Sequence, residues 1–245
     1  MDHGGRTEGR WRIHGALRSI EEKVQRLLIV GAGGFGREVL NWAMDLEVTQ
    51  PGWRIGGFLD ANADALNGYE TDVPILGDPA HFEPAATDCF VCALGNPDTK
   101  RYAIARLLGL GARFVTLIHP TATIGKRVFI GDGCVVCPQA VVTADARLGR
   151  NVVLNLAATV GHDVEIGDWS TMSCHVDVTG KAIVGASVFA GSHACILPGV
   201  KVGDRAIIGA GSVVTRNVSA GTTVFGVPAR TICTRSDGAS QRHED

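Results

Sequence analysis

The sequence has few aromatic residues and almost no net charge. Phe, Trp and Tyr make up 6% of its 245 residues, and the formal net charge at pH 7 is −2. A balance so close to neutral gives no electrostatic basis for binding nucleic acid or an anionic membrane surface. No apolar run approaches the ~20 residues that a membrane-spanning helix needs, so membrane insertion is not expected.

Cysteine usage argues for a reducing compartment and against a zinc site. The count is seven, an odd number, and the charged N-terminal segment lacks the apolar core of a secretion signal. These features predict a cytoplasmic protein with free thiols. Two pairs, Cys89/Cys92 and Cys134/Cys137, have CxxC spacing, but both lie in β-branched runs where side chains three apart point to opposite faces. We therefore expect no metal site.

The chain divides into two parts with different hydrophobic patterns. Residues 26–117 alternate short apolar runs with stretches of helical periodicity, a pattern that predicts a small parallel α/β sheet flanked by helices. A flexible tail is expected over residues 1–25, and a disordered tail over residues 233–245.

A repeat of six begins at residue 118, in the segment that we assign to a second domain, residues 118–232. Every sixth position from Ile118 to Val214 holds an aliphatic residue or Met, except for Ala190. Gly follows at nine of these seventeen positions, and the fourth residue after each is nearly always small or Val. The pattern predicts a parallel β-helix in which three hexads form one triangular coil. We expect the glycines at the corners, where the chain needs unusual backbone angles.

A glycine-rich segment follows the first predicted strand. GAGGFG at residues 31–36 fits G-x-G-x-x-G and opens a helix, so its backbone N–H groups are suited to phosphate. Asp60 ends the next strand, where an acid can accept hydrogen bonds from a ribose or base. Alone, the motif suggests NAD or simply tight strand-to-helix packing. However, about 90 residues are too few for two complete mononucleotide-binding halves.

A histidine–acid pair interrupts the aliphatic repeat. His162 lies two residues after the inward Val160, so its ring should face outward, with Asp163 beside it. A neutral imidazole can accept a proton near pH 7, and a neighbouring carboxylate can fix its tautomer. Gly180 stands one coil of three hexads further on. The alternative reading is a solvated corner pair without chemistry.

Six segments together resemble one family across residues 27–231: LIVGAGGFGREVL, GGFLD, ALGNP, LIHPTA, VGHDVEIGD and VFGVPAR. It is the family of hexapeptide-repeat sugar acetyltransferases, which contains nucleotide-sugar N-acetyltransferases of the bacillosamine and perosamine type and sialic acid O-acetyltransferases. The resemblance implies a small Rossmann-like nucleotide-binding domain, a left-handed β-helix, acetyl-CoA as co-substrate, and a homotrimer with active sites between protomers.

The resemblance predicts transfer of an acetyl group from acetyl-CoA to the amino group of a nucleotide-linked amino sugar. Three alternatives remain open. The protein could O-acetylate a sialic-type sugar, or serve as a β-helix scaffold or nucleotide-sensing subunit without chemistry. A dehydrogenase is the least favoured.

The resemblance also implies the site residues. His162 is the implied general base beside Asp163, and Gly180 offers its backbone N–H to the thioester carbonyl. The other implied donor-site residues are Asn155, Arg230 and Thr171, the last in place of a second histidine of bacillosamine-type members. The nucleotide-sugar pocket is implied to comprise Gly33, Gly34, Phe35, Gly36, Asp60, Gly95 and Asn96, with Lys100 or Arg101 meeting a phosphate.

Three other histidines have competing interpretations. His175 and His193 are one coil apart, so they should stack. We interpret them as an exposed ladder, with a metal site or a place in the CoA cleft as the alternatives. His119, in LIHPTA, resembles the hinge between the two domains and is expected to be structural.

Overall fold

The computed structural model describes residues 12–13, 25–49 and 52–234. A two-residue strand precedes an α/β unit, which is followed by a β-helix. The elements before the β-helix are β1 (Arg12–Ile13), β2 (Gln25–Val30), α1 (Gly34–Thr49), β3 (Trp53–Leu59), β4 (Asp88–Cys92), α2 (Pro97–Gly109) and β5 (Arg113–Phe114). Strands of the α/β sheet are all parallel, as predicted, in the order β3-β2-β4-β5.

The two helices form for different local reasons. Along α1, apolar residues recur at three- and four-residue intervals, and Val39, Ala43 and Leu46 are buried. Helix α2 begins after its N-cap residue Asn96, whose Oδ1 accepts hydrogen bonds from the backbone N–H groups of Asp98 and Thr99 at 3.0 and 3.1 Å. Within the described ranges, neither helix is long and apolar enough to cross a membrane.

Two-residue strands recur every six residues after the α/β unit. They are β6 (Leu117–Ile118), β7 (Thr123–Ile124), β8 (Phe129–Ile130), β9 (Val135–Val136), β10 (Val141–Val142), β11 (Arg147–Leu148), β12 (Val153–Leu154), β13 (Thr159–Val160), β14 (Glu165–Ile166), β15 (Thr171–Met172), β16 (Asp177–Val178), β17 (Ile183–Val184), β18 (Phe189–Ala190), β19 (Cys195–Ile196), β20 (Lys201–Val202), β21 (Ile207–Ile208) and β22 (Val213–Val214). The longer strands β23 (Thr222–Phe225) and β24 (Arg230–Thr234) follow.

Each short strand pairs in parallel with the strand three hexads later, so the chain winds into a prism with three faces. Face 1 runs from β6 through β9, β12, β15, β18 and β21 to β23 and β24. Face 2 contains β7, β10, β13, β16, β19 and β22. Face 3 contains β1, β8, β11, β14, β17 and β20. The predicted parallel β-helix is confirmed.

Both inward positions of the repeat fill the prism. The aliphatic residues and the small residues four positions later form one continuous buried cluster from Val128 to Val224. Ser170 is a polar residue at one of these inward positions, and it is fully buried. Its hydroxyl donates to the carbonyl of Gly185 at 2.7 Å. The hydroxyl is therefore satisfied inside the core.

The glycines of the repeat have a different role from the one expected. Positive φ angles fall two positions later, at residues such as Asp163 (φ 59°), His175 (φ 58°) and Lys181 (φ 62°). A glycine that follows the aliphatic residue instead lies against the next coil. A Cβ on Gly161 would lie 2.7 Å from the backbone nitrogen of Gly180. These glycines are required by coil-to-coil proximity.

The expected tails need correction at both ends of the chain. Arg12 and Ile13 form β1, which pairs in parallel with β8 and extends face 3. At the other end, Cys233 and Thr234 belong to β24, which pairs antiparallel with β23. The rest of the expected tails, residues 1–11, 14–24 and 235–245, lies outside the described residues.

Face 1 packs against the α/β unit. Leu117, Val135, Cys137 and Val153 share one buried cluster with strand β2 and helix α1. Cys134 lies in the prism interior, on the opposite side from Cys137. Cys89 and Cys92 likewise lie in different layers, so the expected opposite orientation is confirmed for both CxxC pairs. All seven thiols are free, and no group of three metal-ligating side chains occurs in the described part of the chain.

Candidate active site

His162 and Asp163 lie at the corner between faces 2 and 3. The imidazole Nδ1 is 2.8 Å from Asp163 Oδ2, and the two side chains are 62% and 53% exposed. The corner backbone is held from both neighbouring coils. The Asp163 N–H donates to the carbonyl of Ala144 at 3.1 Å, and the His162 carbonyl accepts from Lys181 at 2.8 Å. The predicted outward orientation of the ring is found.

The second imidazole nitrogen faces Gly180. A Cβ built on Gly180 would lie 2.6 Å from His162 Nε2. With Nδ1–H directed to the carboxylate, Nε2 keeps its lone pair and can accept a proton. The Gly180 carbonyl accepts from Gly199 at 3.1 Å, whereas its N–H has no partner among the described residues. One corner thus brings together a base and an unused amide donor.

An ion pair lies one coil before the histidine. Arg127 Nη2 donates to Asp145 Oδ2 at 2.7 Å. The Arg127 guanidinium and, more weakly, His162 hold the pKa of Asp145 below its ordinary value, so this carboxylate stays ionised near the imidazole. The carboxylates of Asp145 and Asp163 thus both lie on the His162 corner, one coil apart.

The three other predicted donor-site residues do not join His162 within one protomer. Asn155 lies at the corner between faces 1 and 2, where its Oδ1 accepts from the Leu156 N–H at 2.7 Å. Arg230 is exposed in β24, beyond the last coil. Thr171 is 1% exposed, on face 1. The expected donor contact of Thr171 is therefore wrong, because the α/β unit covers it.

Lys100 is the residue that covers Thr171, and its predicted phosphate contact is also wrong. The side chain is 1% exposed, and Nζ donates to the carbonyl of Asn151 at 2.7 Å and to Thr171 Oγ1 at 3.3 Å. Burial lowers the pKa of Lys100 to about 8, although the nearby thiols Cys92 and Cys134 oppose the shift. Lys100 joins α2 to the β-helix.

The Lys100→Met variant should reveal this buried amine through the pH dependence of stability. Because the pKa is lowered on folding, the unfolded chain binds more protons between pH 8 and 10.5. Wild-type stability should therefore rise over this range, relative to Lys100→Met, by about 2–3 kcal/mol. Denaturant titrations of both proteins at pH 7 and pH 10 measure the difference. Parallel pH profiles for the two proteins would contradict it.

The glycine loop lies at the carboxyl ends of the parallel strands. Gly33 and Gly34 are exposed, and a Cβ on Gly33 or Gly95 would meet nothing within 4 Å. Gly36 is different, because a Cβ there would collide with the carbonyl of Gly31. Gly36 thus serves helix-to-strand packing, while the other glycines leave open backbone suited to a phosphate.

Three further predicted pocket residues brace this edge of the sheet. Phe35 packs edge-on against Trp42, with ring centroids 6.0 Å apart. Asp60 accepts the Ala32 N–H at 2.7 Å and the Asn62 N–H at 2.9 Å, and its remaining lone pairs could still accept from a ribose. Asn96 caps α2.

Arg101 lies apart from the glycine loop, on a groove of about 470 Å³ between α2 and the β-helix. The groove is also lined by Tyr102 and Trp169. The structure thus separates Arg101 from its neighbour Lys100, which is buried.

The predicted stacking of His175 and His193 is found, and His119 is buried. His175 and His193 stack with ring centroids 4.7 Å apart and an interplanar angle of 9°, on the exposed corner between faces 1 and 2. His119 is 9% exposed, with Nδ1 2.9 Å from Thr121 Oγ1 and Nε2 3.3 Å from Asp45 Oδ2. It joins α1 to the start of the β-helix.

Both parts of the chain match families of known proteins. Residues 26–107 match the family model of the PglD N-terminal domain, and residues 181–216 match the model of the bacterial transferase hexapeptide (six repeats). The structure of the acetyltransferase domain of PglB from Neisseria gonorrhoeae FA1090 is 30% identical in sequence. It covers 85% of this chain and 100% of its own, with a TM-score of 0.77. The chain belongs to the hexapeptide-repeat sugar acetyltransferases.

Other members of this acetyltransferase family are also similar. PerB from Caulobacter crescentus, solved with CoA and GDP-perosamine, is 27% identical over 85% of this chain and 98% of its own, with a TM-score of 0.74. UDP-N-acetylbacillosamine N-acetyltransferase from Bacillus subtilis (strain 168) is 32% identical over 121 residues, which is 46% of this chain. The match spans about half (51%) of the length of that curated relative. The predicted fold class, a small parallel sheet followed by a left-handed β-helix, is confirmed.

Proposed function

We propose that this acetyltransferase moves an acetyl group from acetyl-CoA to the amino group of a nucleotide-linked amino sugar. The observation that carries the proposal is the corner at which His162 Nε2 lies against Gly180, with Asp163 on the other ring nitrogen. Acyl transfer needs a base, an oriented tautomer and an oxyanion donor, and this corner offers one of each. Solved relatives with acetyl coenzyme A, or with CoA and GDP-perosamine, support the two substrates.

The chemistry follows from these positions. The amine nitrogen attacks the thioester carbonyl carbon, and the carbonyl oxygen gains negative charge that the Gly180 N–H can stabilise. His162 Nε2 accepts the proton that the amine loses, and Asp163 stabilises the imidazolium. When the intermediate collapses, the C–S bond breaks and the imidazolium returns the proton to the CoA sulfur. The products are an amide and CoA thiol.

The positions of the glycine loop and of the His162 corner favour a homotrimer with active sites between protomers. Lys100, one turn into α2, contacts Asn151 and Thr171, which lie within one coil of His162 and Gly180 along the chain. However, the α/β unit covers face 1, whereas His162 lies at the opposite corner. A nucleotide in the glycine loop would therefore meet the His162 corner of a neighbouring protomer. This arrangement would also let Asn155 or Arg230 approach a neighbour's base.

A cytoplasmic location belongs to the same proposal. All seven cysteines are free thiols, which suits a reducing compartment.

Direct assay of acetyl transfer tests the proposed function. The purified protein is given acetyl-CoA with UDP-, GDP- or dTDP-linked amino sugars, or with free or CMP-linked sialic-type acid. We expect thiol release only with an amino-sugar nucleotide, and a product heavier by one acetyl group that resists mild alkali, because an amide is more stable than an ester. Alkali-labile acetylation of the acid sugar would favour O-acetylation instead. Absence of transfer to every acceptor would leave a scaffold or sensing subunit.

A further inference from the structure

Arg37 is a cation beside the glycine loop that the sequence motif did not identify. Its guanidinium carbon lies 3.5 Å from the centroid of the Tyr69 ring. Its Nη2 lies 3.9 Å from the position that a Cβ on Gly34 would take. Helical side chains lean toward the N-terminus of their helix, so Arg37 reaches back across the first turn of α1. The guanidinium therefore lies at the rim of the exposed loop.

The placement of this charge is unfavourable without an anion. The first turn of α1 contains no acidic residue, and a cation near a helix N-terminus opposes the helix dipole. Over residues 25–49 and 52–234, no carboxylate forms an ion pair with Arg37. The face of Tyr69, which is 53% exposed, offers a cation–π contact instead. The Tyr69 ring thus holds the Arg37 guanidinium, which has no ion-pair partner among the described residues, next to the exposed backbone of the glycine loop.

We propose that Arg37, braced by Tyr69, binds the diphosphate of the nucleotide-sugar substrate. This inference rests on the proposed function. A guanidinium presents parallel N–H donors that match two phosphate oxygens, while the glycine loop supplies backbone N–H groups from the other side. Lys100 is buried against the β-helix, so Arg37 supplies the cation that the sequence assigned to that lysine.

Binding of nucleoside diphosphates tests the assignment. UDP, GDP and dTDP are titrated calorimetrically into the wild-type protein and into the Arg37→Met, Arg37→Lys, Tyr69→Phe and Tyr69→Leu variants. For the diphosphate that wild type binds best, Arg37→Met should weaken affinity by about 10- to 100-fold, the range for a lost charged hydrogen bond. Arg37→Lys should recover only part of it, because lysine lacks the planar fork. Tyr69→Phe should bind like wild type, and Tyr69→Leu should be intermediate.

Arg54→Met is the matched control. Arg54 lies at the opposite end of β3, its side chain is 79% exposed, and its loss removes the same charge from the same unit. This variant should bind like wild type. In turnover, Arg37→Met should raise KM for the nucleotide sugar and leave kcat unchanged.

Two results would overturn the assignment in different ways. If Arg37→Met binds nucleoside diphosphate as tightly as wild type, Arg37 has no phosphate role, and the proposed acetyl transfer still stands. If wild type binds none of the three diphosphates and acetylates no amino-sugar nucleotide, the proposed function is wrong. The assignment of Arg37 is then wrong as well.

Discussion

Replacing His162 with alanine should lower kcat by about 10²- to 10⁴-fold, the usual range for loss of a general base. The imidazole is the group whose Nε2 lies against Gly180, while Asp163 holds Nδ1 at 2.8 Å. Its side chain is 62% exposed and contributes nothing to the prism core. The variant should therefore fold and assemble like wild type. Thiol release measured at saturating acetyl-CoA and acceptor gives kcat, and light scattering gives the assembly.

His81→Ala is the matched control for this change. His81 is also an exposed histidine beside an acid, with Nδ1 3.4 Å from Asp78 Oδ2, but it lies in the α/β unit. This variant should retain wild-type kcat. Near-wild-type turnover in His162→Ala would remove the imidazole from the mechanism.

Subunit mixing adds a test of the shared site. A Gly34→Asp variant should lose nucleotide binding, because a carboxylate in the glycine loop repels phosphate. If each active site combines the loop of one protomer with His162 of its neighbour, co-expression with His162→Ala should restore part of the activity. Mixed trimers without any recovered activity would place both halves of the site in one protomer.

The β-helix was predictable because its signal repeats. Seventeen hexads in register specify which side chains point inward, and the buried cluster from Val128 to Val224 contains the aliphatic residues of all but the first two. The same counting places His162 and Gly180 on one corner, since residues one coil apart stack. The role of the corner glycines was not predictable from φ preferences. It depends on how closely the coils approach, and only the folded prism defines that distance.

Contacts between the two units were not predictable from sequence. Lys100 is in the polar-looking first turn of α2, and only the packing of that turn against Asn151 and Thr171 buries it. Tyr69 and Arg37 are separated by an irregular loop without periodicity, so nothing in the sequence brings ring and guanidinium together. Periodicity identifies faces and corners within one unit, whereas pairing across loops depends on tertiary structure.

Replacing Gly180 with alanine should lower kcat by about 100-fold or more without unfolding the protein. The new Cβ would lie 2.6 Å from His162 Nε2, well inside the ~3.5–4.0 Å optimum for non-bonded contact. The imidazole must then rotate away from Asp163 or from the thioester, and a misplacement of ~1 Å can cost 10²-fold in rate. Alanine keeps the backbone N–H, so the measured loss reports displacement of the base.

Two further variants test whether the loss in Gly180→Ala arises from displacement of the imidazole. Gly109→Ala, at the end of α2, adds a methyl group where nothing lies within 4 Å, and it should keep wild-type kcat. The double variant Gly180→Ala/His162→Ala should be no slower than His162→Ala alone, because a methyl group cannot displace an imidazole that is absent. A further tenfold loss in the double variant would show that Gly180 acts independently of the histidine. Wild-type kcat in Gly180→Ala would mean that the imidazole works from another position, and the geometry of this corner would then not be that of the transition state.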